Sequence, residues 1–207
     1  HWQKPDQGVL FIVTGASGTG KTTLVKEALT TIPDLRFSVS ATTRAMRKGE
    51  IDGVDYFFLN KDNFLTFREN DSFLESAQVY GNYYGTLRKP VLESLKQGDS
   101  ILLEIDRRGA QQVKDKMPNA ISIFILPPSV GSLETRLRNR ATDSEEIIQR
   151  RLADARDQLD YCHQFDYLLI NDDLESAVEQ FQAILISELL KTTQRSSWIE
   201  QFSRKKQ

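Results

Sequence analysis

Apolar residues are concentrated in short blocks that alternate with longer amphipathic stretches. Four runs dense in Val, Ile, Leu, Phe and Tyr predict buried strands, at 9–14 (VLFIVT), 100–105 (SILLEI), 121–126 (ISIFIL) and 167–170 (YLLI). Helical spacing follows at 22–31, 88–98, 109–117 and 174–191. Because strands alternate with helices, the pattern predicts an α/β fold with a mostly parallel sheet covered by helices on both faces.

Two stretches interrupt this alternation. Residues 37–86 are rich in Tyr, Thr and Gly and contain alternating patterns such as VDYFFL, which predicts a small, mostly β insertion. Residues 129–160 are charged and helical in pattern, with six arginines between 136 and 156. Neither stretch is repetitive or of low complexity, so both are predicted to be folded parts of one protein.

Composition limits the possible partners. The 207 residues are 39% hydrophobic, enough to bury a core, and the net charge is −2. This balance gives no overall attraction to nucleic acid or an anionic membrane, so an anion site must be local. The apolar runs are too short to span a bilayer, the first residues lack a signal-peptide pattern, and Cys162 is the only cysteine. A cytoplasmic location is therefore expected.

The stretch GASGTGKT at 15–22 has the spacing G-x-x-x-x-G-K-T between a predicted strand and a predicted helix. In such a phosphate-binding loop, backbone N–H groups surround phosphate oxygens, Lys21 reaches the outer phosphates and the Thr22 hydroxyl ligates Mg²⁺. The alternative is a glycine-rich turn with an incidental lysine. Glu104 and Asp106 follow a neighbouring strand and, two residues apart, are expected to face the same side, where either could hold Mg²⁺ through water.

The phosphate loop alone does not separate GTPases, ATPases and kinases. A guanine-reading GTPase would need N-K-x-D, whereas residues 60–63 read NKDN, with Asn63 at the aspartate position. This segment is better interpreted as a turn that begins a helix.

Seven stretches in a fixed order resemble the guanylate kinases over about residues 8–190. They are FIVTGASGTGKTTL, SVSATTRAMRKGEIDGVDYFF, FLESAQVYGNYYGT, ILLEIDRRGAQQV, IFILPPS, RLRNRATDSEEIIQRRL and INDDLESA. The resemblance implies transfer of the γ-phosphate of ATP to GMP or dGMP in purine nucleotide metabolism. It implies a P-loop core at 8–36, 87–128 and 161–193, a GMP-binding insertion at 37–86, a helical lid at 129–160, and a tail at 194–207 that is expected to fray beyond residue 202.

The resemblance also implies a GMP site. Its residues are Ser40, Arg44, Arg47, Tyr56, Glu75, Tyr84, Thr86 and Asp106. The chemistry of these residues agrees, because the planar donor forks of Arg44 and Arg47 suit phosphate oxygens. Glu75 can accept from both donors on the pairing edge of guanine, whereas adenine places an acceptor there.

The ATP site implied by the resemblance comprises the loop and one later residue: Gly15, Ala16, Ser17, Gly18, Thr19, Gly20, Lys21, Thr22, Thr23 and Asn171. The resemblance puts Asn171, and with it Asp172, near the adenine of ATP; the Asx residues of INDDL could instead form a turn and cap the following helix. The expected cofactor is Mg²⁺. The implied catalytic cations, which cancel charge during transfer, are Lys21, Arg44, Arg136, Arg140 and Arg151.

Some residues depart from the family pattern. Arg107 and Arg108 stand where an apolar residue and Gln are usual, and they could lie at the surface or touch a nucleotide. Two other functions stay open: a non-catalytic guanylate-kinase-like module that binds phosphopeptides, and a kinase of another nucleoside monophosphate. The complete loop argues against the first and Glu75 against the second. The expected partners are ATP and GMP or dGMP, without nucleic acid or membrane, and a homo-oligomer stays open.

Overall fold

The computed structural model describes residues 3–79, 81–139 and 144–204. Its strands are β1 Leu10–Thr14, β2 Leu35–Phe37, β3 Ala41–Thr42, β4 Phe57–Phe58, β5 Phe73–Val79, β6 Asn82–Leu87, β7 Ser100–Glu104, β8 Ile121–Leu126 and β9 Tyr167–Ile170. Its α-helices are α1 Lys21–Thr31, α2 Lys61–Glu69, α3 Arg88–Lys96, α4 Arg107–Lys116, α5 Val130–Asn139, α6 Glu145–Leu159, α7 Leu174–Leu189 and α8 Ser196–Arg204.

The main sheet has the strand order β2-β7-β1-β8-β9. All its neighbouring strands are parallel. The four strands predicted from the apolar runs are β1, β7, β8 and β9. The fifth, β2, was not predicted because it has only three residues and buries only Leu35. Since the strands are parallel, their carboxyl ends meet at one edge, which is where α/β folds bind ligands.

Each face of this sheet is covered by helices, as the alternation of strands and helices predicts. Alternate residues of β1 point to opposite faces. Phe11 and Val13 pack in a cluster with residues of α1 and α7, whereas Leu10 and Ile12 pack with residues of α3 and α4. This two-sided burial explains why β1 is a continuous apolar run.

A second, smaller sheet has the order β4-β3-β6-β5 and lies within residues 41–87. Its core includes the stacked rings of Phe64 and Phe73, with centroids 4.4 Å apart. Phe64 belongs to α2. Asn60 caps this helix, since its side chain accepts a hydrogen bond from the Asn63 N–H at 2.7 Å. The prediction that NKDN begins a helix is therefore confirmed, as is the small β-rich stretch.

Helices α5 and α6 both lie within the stretch 129–160 that was predicted to be helical. They pack against each other through Leu133, Leu137, Ile148 and Leu152, and the same cluster includes Ala16 of the phosphate loop. The two helices therefore rest directly on the loop between β1 and α1.

The expectation of a frayed end beyond residue 202 is wrong for residues 203 and 204, which complete α8. Asp6 fastens this helix to the start of the chain, because its carboxylate accepts from the Ser197 N–H at 2.7 Å. The apolar residues Trp198, Ile199 and Phe202 are all largely exposed. Within the described ranges, no helix combines the length and apolar character needed to cross a bilayer.

Candidate active site

The loop between β1 and α1 depends on glycines with backbone angles that other residues avoid. Gly18 and Gly20 have φ values of 95° and 91°, in the left-handed region that favours glycine. Space is also limiting at Gly20, since a Cβ there would lie 2.2 Å from Nδ2 of Asn171. Buried Thr19 closes the loop by donating its hydroxyl to the Ala16 carbonyl at 3.0 Å.

Lys21 and Thr22 stand at the amino end of α1, where the helix dipole favours anions. The ammonium of Lys21 donates to the carbonyls of Gly15 and Ala16 at 2.7 and 2.9 Å. The hydroxyl of Thr22 donates to the Glu104 carboxylate at 3.1 Å. These side chains border a cavity of about 230 Å³ that is also lined by Ser17, Gly18, Gly20 and Thr23.

The chemistry of this cavity fits Mg²⁺. Thr22 and Glu104 place a hydroxyl and a carboxylate side by side, and both are oxygen ligands of the kind that Mg²⁺ prefers. Across residues 3–79, 81–139 and 144–204 no group of three or more His, Cys, Asp or Glu could hold a metal alone.

Asp106 and Glu104 make different contacts. It caps α4, and its carboxylate accepts from the Gly109 N–H at 2.8 Å. Asp106 follows β7 with an extended backbone (φ −75°, ψ 173°) as the N-cap of α4, and the expectation that its carboxylate shares a face with that of Glu104 stays a prediction. Asp106 lies near Glu75, because a Cβ on Gly109 would be 3.2 Å from the Glu75 carboxylate and 3.5 Å from that of Asp106.

Glu75 is a buried carboxylate on β5. Only 7% of its surface is exposed, and it accepts from the Thr86 hydroxyl at 2.7 Å. Burial raises the pKa of Glu75, and the negative charge of Asp106 adds to that rise, whereas the Thr86 hydrogen bonds oppose it. The ladder between β5 and β6 is irregular immediately before Glu75, a feature that re-aims side chains near functional sites.

Arg44 is held in one orientation by Glu50, a residue that the sequence did not single out. Their two side chains form a bidentate pair with distances of 2.8 and 3.1 Å, and the pairing raises the pKa of Arg44. The guanidinium carbon lies 5.3 Å from the ring centroid of Tyr56, whose ring lies 6.3 Å from that of Tyr84. An acidic residue within the basic turn RKGE was the available signal for Glu50.

The other residues of the predicted GMP site lie around this group. Ser40 is half-buried just before β3, and its carbonyl accepts from the Phe57 N–H at 2.9 Å. Arg47 is exposed in the turn, where its N–H donates to Glu50 at 2.7 Å. Thr86 is buried on β6. The structure thus groups Arg44 with Tyr56 and Tyr84, and Glu75 with Thr86 and Asp106.

Asn171 follows β9 and is buried, with 4% of its surface exposed. Its side-chain amide donates to the Thr19 carbonyl at 2.8 Å. Asp173, not Asn171, caps α7 by accepting from the Ser176 N–H at 2.9 Å. The alternative that the Asx residues after β9 cap the following helix is therefore confirmed for Asp173, whereas the Asn171 side chain braces the phosphate loop.

The predicted lid arginines occupy different positions. Arg136 on α5 donates to the carbonyls of Asn171 and Asp172 at 2.9 and 3.2 Å. Arg151 is half-buried on α6. Arg140 lies outside the described residues. The structure therefore brings Arg136 next to the Asn171 loop.

Arg107 contacts an aromatic ring of the protein. Its guanidinium carbon lies 3.8 Å from the ring centroid of Tyr161, in the segment just after α6, so it stacks on the protein itself. Arg108 is exposed. Together with Asp154 and Asp157, these side chains line a polar cavity of about 440 Å³.

Comparison with known proteins agrees with this arrangement. The family model described as Guanylate kinase matches residues 7–188. The guanylate kinase of Carboxydothermus hydrogenoformans is 51% identical over 185 residues, covering 89% of this chain and 91% of the relative. That of Maricaulis maris is 46% identical and covers 95% of this chain and 90% of its own.

A solved structure is also similar. The crystal structure of guanylate kinase from Anaplasma phagocytophilum has a TM-score of 0.70 and 33% identity, covering 93% of this chain and 92% of the other. The family match thus covers most of the chain. It coincides with a phosphate loop and with a buried carboxylate on a second sheet. The chain belongs to the guanylate kinase family.

Proposed function

We propose that this protein transfers the γ-phosphate of ATP to GMP or dGMP, giving ADP and GDP or dGDP. The observation that carries the proposal is the buried Glu75–Thr86 pair in a family member that also has an intact phosphate loop. Among the described residues no cation pairs with the Glu75 carboxylate, and guanine offers it the hydrogen-bond donors N1–H and N2–H₂.

On the acceptor side, each residue has a chemical task. Glu75 and Asp106 receive the donors of guanine, and Ser40 and Thr86 address its O6 and N7 side. Arg44 and Arg47, with the hydroxyls of Tyr56 and Tyr84, grip the GMP phosphate. Glu50 holds the guanidinium of Arg44 through a bidentate pair, and the N–H groups of Arg44 outside that pair would address the phosphate.

On the donor side, the loop from Gly15 to Thr23 surrounds the ATP phosphates, and Lys21 turns from its carbonyl partners to the outer phosphates. Asn171 lies beside the adenine and braces Thr19. Thr22, with Glu104 or Asp106 through water, would hold Mg²⁺, and Glu104 is favoured because it contacts Thr22. When bound, Mg²⁺ neutralises phosphate charge.

The transfer needs no general base, because the acceptor is a phosphate oxyanion near neutral pH. The protein must align two polyanions and cancel their repulsion. Lys21 acts from the loop, Arg44 from the acceptor side, and Arg136, Arg140 and Arg151 from the lid. Closure of the lid over both nucleotides would exclude water and prevent hydrolysis of ATP.

Organisation and location belong to the same proposal. The core comprises 8–36, 87–128 and 161–193, the insertion 37–86, the lid 129–160 and the tail 194–207. The partners are ATP and GMP or dGMP rather than nucleic acid or membrane, and the cytoplasm is the proposed location. Neither the phosphopeptide-binding module nor a kinase of another nucleotide is favoured.

An ADP-release assay with GMP, dGMP, AMP, CMP and UMP tests the proposal. GMP and dGMP are expected to support turnover well above the others, because only guanine presents two donors to Glu75. Lys21→Ala and Arg44→Ala, checked for folding by circular dichroism, are expected to lose most turnover. ADP release that does not depend on GMP, or a stronger response to AMP, contradicts the proposal.

A further inference from the structure

A glutamine on α4 binds the main chain of β5 beside the guanine-reading carboxylate. The side-chain oxygen of Gln112 accepts from the Ser76 N–H at 3.1 Å, and its amide nitrogen donates to the Ser76 carbonyl at 3.3 Å. Ser76 directly follows Glu75. The planar amide therefore supplies one donor and one acceptor, which is what a neighbouring strand would supply.

The position on β5 makes this pair important. β5 is the edge of its four-stranded sheet and has only β6 as a strand neighbour. The ladder to β6 is irregular between Phe73 and Glu75. An edge strand that is interrupted at this point is weakly specified by its own sheet. Gln112 fixes it from the other side, one residue beyond the carboxylate.

Helix α4 is a firm support for this contact. Its Ala110 and Val113 are buried in the core beneath the main sheet. Asp106, Gly109 and Gln112 are spaced by three and share one helix face. A Cβ on Gly109 would lie 3.2 Å from the Glu75 carboxylate, so this face lies directly against the guanine-reading group.

We propose that Gln112 is a positioning residue for guanine selectivity. By holding the Ser76 main chain, it sets the distance between Glu75 on the small sheet and Asp106 at the start of α4. Both carboxylates can then meet the donors of one guanine edge. This inference rests on the proposed function, since it concerns how that site selects its base.

The test compares two adjacent glutamines. Gln112→Met keeps the length of the side chain and removes both hydrogen bonds. Gln111→Met is the matched control, because Gln111 is exposed and its side chain bonds Asp115 on its own helix. Gln112→Asn keeps the amide but is too short to reach both groups, so it serves as a second variant. The probes are GMP and IMP, which differ only in the 2-amino group.

The measured quantity is the ratio of kcat/KM for GMP to that for IMP. Gln112→Met and Gln112→Asn are expected to lower this ratio roughly fivefold or more, on the scale of one or two lost hydrogen bonds. Gln111→Met is expected to keep the wild-type ratio. A wild-type ratio in both Gln112 variants, or an equal loss with GMP and IMP, overturns the inference.

A double variant separates positioning from general structural support. If Gln112 acts through Glu75, then Gln112→Met should not lower the ratio further in a Glu75→Gln background. If Gln112→Met lowers the ratio in the Glu75→Gln background as much as it does in the wild-type protein, the inference is overturned. Failure of the proposed function looks different, since wild-type protein would then show no GMP-dependent turnover at all.

Discussion

Burial of Glu75 serves recognition at the expense of stability. The group is nearly enclosed and its pKa is raised by burial, so the ionised form that guanine requires is disfavoured in the folded protein. Because the pKa of Glu75 is higher in the folded protein than in the unfolded chain, its protonation stabilises the fold at pH values below the pKa of an ordinary glutamate. That contribution is lost as the pH rises through the raised value.

Glu75→Gln is therefore expected to raise the melting temperature at neutral pH, because Gln can still accept from Thr86 without a buried charge. The gain should shrink as the pH falls and the wild-type carboxyl becomes protonated. Thermal unfolding across a pH series measures this, with Glu179→Gln on the exposed side of α7 as control. A gain that grows toward acidic pH contradicts the assigned sign.

The same substitution is expected to weaken guanine selection by about 1 to 3 kcal/mol, the cost of a mismatched buried polar group. The measurement is the ratio of kcat/KM for GMP to that for AMP. An unchanged ratio would show that Glu75 does not read the base.

Glu50 is expected to matter for GMP and not for ATP. Glu50→Ala removes the bidentate partner of Arg44, so the fork loses its fixed orientation and the KM for GMP should rise. Glu50→Gln, which still offers an acceptor, should have a smaller effect. Steady-state kinetics with each nucleotide varied separately tests this. A lower KM for GMP would mean that the charge of Glu50 outweighs its orienting effect.

At the scale of elements, the phosphate loop combines a left-handed backbone at glycine with close packing. Gly20→Ala is expected to cost about 1 to 2 kcal/mol for the left-handed backbone alone, plus the displacement of Asn171. Gly49 is a matched control, because its φ of 93° is similar and a Cβ there meets nothing within 4 Å. Urea unfolding should show a larger loss for Gly20→Ala than for Gly49→Ala. Equal losses contradict the role of Asn171.

The segment just after α6 is tied to α4 by the stacked pair of Arg107 and Tyr161. Arg107→Ala should cost about 0.5 to 1 kcal/mol, the usual value of an accessible cation–π contact. Tyr161→Phe keeps the ring and should preserve the coupling, whereas Tyr161→Leu should remove it. A double-mutant cycle of unfolding free energies measures the coupling, with exposed Arg108→Ala as control. A coupling of zero between residues 107 and 161 contradicts the assignment.

Elements could be predicted where burial is two-sided or helical periodicity is long. The inner strands β1 and β8 are nearly continuous apolar runs because helices cover both faces of the sheet there. By contrast, β3 and β4 have two residues each, too few for any period to appear. The helix α8 was missed although Trp198, Ile199 and Phe202 have helical spacing, because its apolar side is exposed rather than buried.

Site residues that belong to a distinctive motif could be predicted from the sequence. The residues that hold them in position could not. Glu50 and Gln112 act through partners that only folding reveals, such as the Ser76 main chain 36 residues away. Asn171 was placed near a nucleotide, yet its contact with Thr19 spans 152 residues. Such contacts leave no local pattern, because they depend on which elements the fold brings together.

For the whole molecule, α8 is expected to be dispensable for catalysis. It buries no residue and is fastened to Asp6, before β1, at the opposite edge of the main sheet from the phosphate loop. A chain that ends at residue 195 should therefore keep the kcat and the KM for GMP of the full chain. A clear change in either constant, with the fold intact by circular dichroism, would place α8 in the working enzyme.

Asn171 joins two parts of the protein. Its amide holds the Thr19 carbonyl, and its own carbonyl receives the guanidinium of Arg136. Anyone who redesigns this enzyme for a different phosphate donor will find that the two parts cannot be varied as separate modules. Replacements at position 171 will need compensating changes on both sides, introduced together.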